Sequence, residues 1–171
     1  IMWAGVYLMQ KSSYNNHYYL LMLLCFIMSF LPAHRWFSID AWRRPEISKI
    51  SMPRWVWVVI VLQLWIVYTY ASVAKFYPDW LDGSFPAMLM ASKKDYWLVG
   101  EFLQQPWIRY AITSFGLLFD LLIIPLLLWK RTRLTAFIAA IFFHLFNSFI
   151  FHIGIFPYMS LAFCIFFFPS E

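Results

Sequence analysis

The chain has 171 residues, of which 63% are hydrophobic and 23% aromatic. Its charged share of 12% is about half that of an ordinary soluble domain, and this composition points to an integral membrane protein. The formal net charge of +5 comes from basic residues that border apolar blocks, a pattern that orients membrane helices and argues against a nucleic-acid partner.

Residues 1–9 are apolar but too short to cross a bilayer. They carry no basic n-region or cleavage site, so they read as the tail of a truncated helix rather than a signal peptide. A helix needs about 20 mostly apolar residues to span the hydrocarbon core. Blocks 17–33, 55–77, 107–129 and 134 to about 153 meet or approach that length, and block 154–168 is shorter. The expectation is an all-α, polytopic transmembrane helix bundle of about five spans plus the truncated N-terminal one. Glu171 follows an oily stretch directly, so residues 1–171 read as a single transmembrane domain, a fragment lacking a C-terminal extracytoplasmic region. Cys25 and Cys164 both fall inside apolar blocks, where a free buried thiol is the usual state.

If the spans alternate, Arg35, Arg43, Arg44, Lys49 and Arg54 share one side with Lys130, Arg131 and Arg133. On the other side, in loop 78–106, Lys93 and Lys94 are outnumbered by Asp79, Asp82, Asp95 and Glu101. Basic residues concentrate on the cytoplasmic side of membranes, so the first set is placed inside. That orientation brings Asn16 and His17, Lys75, and the group His144, Asn147 and His152 to the outer half of the membrane on three different spans. Along a straight helix His144 lies about 12 Å deeper than His152.

Lys75 ends a block that is otherwise uncharged from Trp55 onward. One reading is a lysine whose stem covers apolar surface while its ammonium reaches interfacial water. The other is an amine that faces the bundle interior, where desolvation frees a neutral base. Tyr68, Ser72 and Lys75 share one helical face, a polar stripe that favours the interior reading. His17 reads either as an interfacial histidine beside a helix cap or as part of a site. His144, in "AAIFFHLFNSFIFHIGIFP", is a functional candidate because polar groups inside a membrane are expensive; its alternative is a hydrogen bond to a neighbouring helix. Asp120, in "GLLFDLLIIPLLL", lies thirteen residues inward from Trp107. It is expected to be structural, protonated or bonded to a polar neighbour such as Gln63, with no lysine at its depth. No ligand spacing points to a metal.

Together, "NNHYYLLMLLCFIMSFLPAHRWFSIDAW", "VYTYASVAKFYPDWL", "GLLFDLLIIPLLL" and "FFHLFNSFIFHIGIFPYM" resemble the vitamin K-dependent gamma-glutamyl carboxylase family and its bacterial relatives, the horizontally transferred transmembrane (HTTM) domain. The resemblance covers almost the whole chain. It implies Lys75 as the catalytic base, Asn16 and His17 as hydrogen-bonding partners of the naphthoquinone oxygens, and His144 and Asn147 near the same pocket. Tyr68 and Ser72 join the set as pocket candidates from the shared helical face. Members of the family oxidise vitamin K hydroquinone with O₂ to the epoxide. The strongly basic oxygenated intermediate takes a gamma proton from glutamate, which then adds CO₂. The implied partners are a glutamate-containing peptide or protein and the lipid bilayer. The implied location is a bacterial inner membrane, or the endoplasmic reticulum in a eukaryote, with the site on the extracytoplasmic side. Three other functions compete with this reading: a non-catalytic quinone- or lipid-binding module, an epoxidase without protein carboxylation, and a small transporter using Asp120 and His144 as a proton relay.

Overall fold

The computed structural model describes residues 5, 9, 16–35, 38–48 and 53–168. Among them every regular element is helical: α1 (Asn16–Ser29), α2 (Ile39–Arg43), α3 (Arg54–Val73), α4 (Pro78–Leu81), α5 (Ser84–Ala91), α6 (Gly100–Leu103), α7 (Pro106–Leu128), α8 (Arg133–Phe146) and α9 (Phe156–Cys164). A π-helical turn, Asn147–Phe151, continues α8. Three segments are long and apolar enough to cross a membrane: Arg54–Val73, Pro106–Leu128 and Arg133–Phe151. The other two apolar helices, Tyr18–Ser29 and Phe156–Phe167, are shorter. The all-helical expectation therefore holds, while three of the five expected spans reach full length. The 14 residues of α1 rise about 21 Å, short of a hydrocarbon core of about 30 Å. Pro32 explains the early stop, because the residue before a proline is pushed out of helical geometry.

The chain divides into two compact units, Ile1–Ile60 and Val61–Glu171, with α3 passing from one to the other. In the first unit α1 buries Leu20 and Leu24, one turn apart, and Phe26 meets Phe30 edge to face at 5.1 Å. Ser38 caps α2 by accepting the Ala41 N–H at 3.0 Å. The side chains of Asn16 and His17 lie outside the described residues.

In the second unit, α8 packs against α7 and α9. Its buried positions Ala136, Ala140 and His144 recur every fourth residue, and two of the three are the small residue that lets helices approach closely. Leu134, Ile138, Phe142 and Phe149 are exposed along α8 and its π-turn, the apolar outer surface expected of a lipid-facing helix. The turn between α7 and α8 closes on itself. Thr132 Oγ1 donates to the Leu126 carbonyl at 2.8 Å and Arg133 Nε to that of Leu127 at 3.0 Å, satisfying carbonyls that the end of α7 leaves open.

Residues 78–105, a loop in the sequence reading, fold into the short helices α4, α5 and α6, all packed on α7. The Asp82-Gly83 turn signal is fulfilled between α4 and α5. Gly83 takes a left-handed φ of 79°, and Asp82 Oδ1 accepts the Ser84 N–H at 2.7 Å. The Ser84 hydroxyl first, and then its N–H, hold the Asp82 carboxyl below the usual carboxylate range. Met90, Leu103, Ile108 and Ile150 form a small apolar core that ties these helices to the π-turn.

Candidate functional site

The C-terminal part of α3 turns Tyr68 and Ser72 inward, at 4% and 0% exposure. The helix stops at Val73 because Pro78 forces Tyr77 into an extended conformation (φ −105°, ψ 157°). The chain tightens as it leaves: the N–H of Lys75 donates to the Ser72 carbonyl at 2.9 Å and that of Phe76 to the Val73 carbonyl at 3.0 Å. Lys75 therefore sits two residues past the regular helix. Its side chain folds back into the unit, and Nζ donates to Asp120 Oδ2 in an ion pair.

Trp80, on α4, covers this pair. Its ring centroid lies 5.2 Å from the Lys75 amine, and its Nε1 donates to the Thr113 carbonyl at 3.4 Å. Thr113, Gly116 and Asp120 share one face of α7, so the indole lies along the helix just N-terminal to the carboxylate.

Asp120 therefore differs from its expected setting: its partner is Lys75 and not Gln63. Depth counted inward from Trp107 misleads because α4, α5 and α6 pack along α7. The first turns of α7 thus run beyond the end of α3. A four-carbon lysine arm from the α3 terminus then reaches a carboxylate that looks distant on a straight-helix count.

A second polar contact lies on the same stripe. The Tyr68 hydroxyl and His144 Nε2 are 2.8 Å apart, and the buried Ser160 of α9 lies near that hydroxyl. His144 has no exposed surface. Its ring is walled edge-on by Phe119 at 5.8 Å, Phe143 at 5.3 Å and Phe156 at 6.0 Å. Phe119 and Phe143 stack on each other at 3.9 Å. If Tyr68 donates to Nε2, the ring proton resides on Nδ1; in the reverse arrangement Nδ1 is the acceptor. In both cases His144 Nδ1 is buried without a partner among the described residues, and so is Ser72 Oγ. Each such group costs about 1–3 kcal/mol, which makes the two of them a mark of unused binding capacity.

Immediately after His144 the helix widens into its π-turn, a feature frequent at functional sites. Asn147 begins that turn and is half-buried. His152 does not continue a straight helix above His144. It ends the π-turn in a left-handed conformation (φ 52°, ψ 45°) and is exposed. Of the residues singled out from the sequence, Lys75, Tyr68, Ser72 and His144 line the interior of one unit, while Asn16 and His17 belong to the other. Asp120, Trp80 and Ser160 were missed as site residues. For Asp120 a signal was present, since a charge inside an apolar segment calls for a counter-charge.

Among known protein families, the HTTM domain matches residues 1–171. No solved structure matches the chain.

Proposed function

The chain belongs to the HTTM domain family, and on that premise we propose that it is a membrane enzyme of the vitamin K-dependent gamma-glutamyl carboxylase type. In this reading it oxidises vitamin K hydroquinone with O₂ to the epoxide, couples that reaction to gamma-carboxylation of glutamate with CO₂, and uses Lys75 as its base. The observation that carries the reading is the inward-turned Lys75 amine. It is paired with Asp120 beneath Trp80, on the same stripe as Ser72 and the Tyr68–His144 contact. A lysine that merely anchored the helix end would direct its ammonium to water instead.

The residues present fit a naphthoquinol, a flat apolar ring system with an oxygen at each end. Ser72 Oγ and His144 Nδ1 are buried groups with free hydrogen-bonding capacity beside the aromatic rings of Phe119, Phe143 and Phe156. Those two side chains would hold an oxygen of the ring, and Asn147 stands one turn beyond. When bound, the hydroquinone supplies with O₂ the basicity needed to take a glutamate gamma proton, which no lysine of ordinary strength provides. Lys75 accepts a hydroxyl proton at Nζ. Tyr68 fixes the His144 ring through Nε2, so Nδ1 is held in one orientation. Trp80 and the aromatic walls limit water around the amine. The orientation read from the basic loops puts this chemistry on the extracytoplasmic side.

The test is epoxide formation from reduced vitamin K and O₂ by the purified full chain. Lys75→Ala is expected to abolish it while the protein remains folded, and Lys75→Arg to fail as well, because a guanidinium stays protonated. A small exogenous amine should partly restore the Ala variant. An active Lys75→Ala protein would remove the lysine from the mechanism, and epoxidation without any glutamate carboxylation would confine the activity to the oxidase half.

A further inference from the structure

Lys75 and Asp120 are withdrawn from solvent to 17% and 5% side-chain exposure. The pair is contributed by the end of α3 and by α7, with α4 supplying the Trp80 ring above the amine. The groups around it are few. Tyr68 on α3 is in electrostatic reach of Asp120, with His144 of α8 and Cys164 of α9 beyond it. Asp79 of α4 is exposed, and Arg109 lies three turns outward on α7 against Gly83 and Asp82. Among the described residues, the charge that meets Asp120 is that of Lys75.

We propose that Asp120 is the positioning residue that holds the Lys75 proton. It keeps the amine protonated and docked in the resting protein, and it receives that proton when the amine acts as a base. The proposal rests on Lys75 being the base of the reaction above. In the transfer an N–H bond at Nζ breaks, an O–H bond forms at Asp120 Oδ2, and the N–H electron pair stays on nitrogen. The pair is electrically neutral before and after, so no isolated charge is left in apolar surroundings, where one would be costly. The free amine then spends that electron pair on the hydroxyl proton of the hydroquinone: the O–H bond breaks, a new N–H bond forms, and the electrons of the O–H bond remain on the substrate oxygen. A lone buried lysine would lack the docking contact.

Acylation of Lys75 by acetic anhydride in the detergent-purified full chain, followed by mass spectrometry, reads the free amine without any quinol. Exposed Lys94 and Lys130 serve as internal controls. At pH 7, Asp120→Asn is expected to label at Lys75 about tenfold faster than the parent, the change produced by one unit of proton affinity. Asp120→Glu should restore slow labelling. Equal Lys75 rates in the parent and the Asn variant, with equal controls, would overturn the proposal. Should the Asn variant fail to fold, the parent carries the test: Lys75 labelling at pH 7 is expected at least about tenfold below Lys94, and comparable rates would overturn it. If epoxidation is present, its acid limb should move to lower pH in Asp120→Asn. Absence of epoxidation together with the expected labelling would sink the proposed reaction and leave the Asp120 assignment standing.

Discussion

The two polar contacts of the second unit differ in a way that follows from the cost of burying charge. The ion pair sits where α3 has already ended, at the margin of the unit, and Lys75 keeps some solvent contact. The Tyr68–His144 contact is neutral and lies where exposure falls to 4% and 0%. An ammonium and a carboxylate tolerate the interior by answering each other. The neutral contact is different, because among the described residues its histidine retains a ring nitrogen without a partner and Ser72 a hydroxyl without one. The ion pair and the neutral contact thus occupy neighbouring turns of one stripe, each at the burial its charge permits.

The comparison breaks most readily at the ion pair. Asp120→Leu strands an ammonium against α7 and should cost about 3–5 kcal/mol, read as a lower thermal midpoint in detergent. Adding Lys75→Met should recover most of that loss, since two apolar side chains replace two charges; a double variant no more stable than the single one would mean that the pair contributes little. Tyr68→Phe should cost less, about 1–3 kcal/mol, because it leaves His144 Nε2 buried without its partner but strands no charge. Equal losses at Tyr68 and Asp120 would erase the distinction between the two contacts. Gly116→Ala is expected to change stability by no more than about 0.5 kcal/mol, since a Cβ there meets the Trp80 ring at an ordinary 3.6 Å. A large loss would show that Trp80 presses on α7 more tightly than that separation implies.

Much of this was legible in the residues. Long uncharged runs determined that the protein is helical and membrane-embedded, and spacing along α3 determined that Tyr68 and Ser72 share a face with Lys75. The Asp82-Gly83 turn was likewise readable, because its backbone demand is met within four residues. These are local properties, decided within a turn or two of chain.

The partners were not local. Lys75 and Asp120 are separated by 45 positions, and Tyr68 and His144 by 76. Their meeting depends on where each helix stops and how far its neighbour continues past it. Counting from Trp107 placed Asp120 out of reach because the packing of α4, α5 and α6 along α7 is invisible in a hydropathy pattern. Counting eight residues from His144 to His152 failed for a related reason, since a π-turn and a left-handed residue replace the expected straight helix. The sequence by itself thus determined that a carboxylate buried here is protonated or paired and that Tyr68, Ser72 and Lys75 share a face. Tertiary packing decided which carboxylate answers which amine, because a buried charge takes the counter-charge within its reach, and reach is set by helix ends and contacts that no single segment encodes.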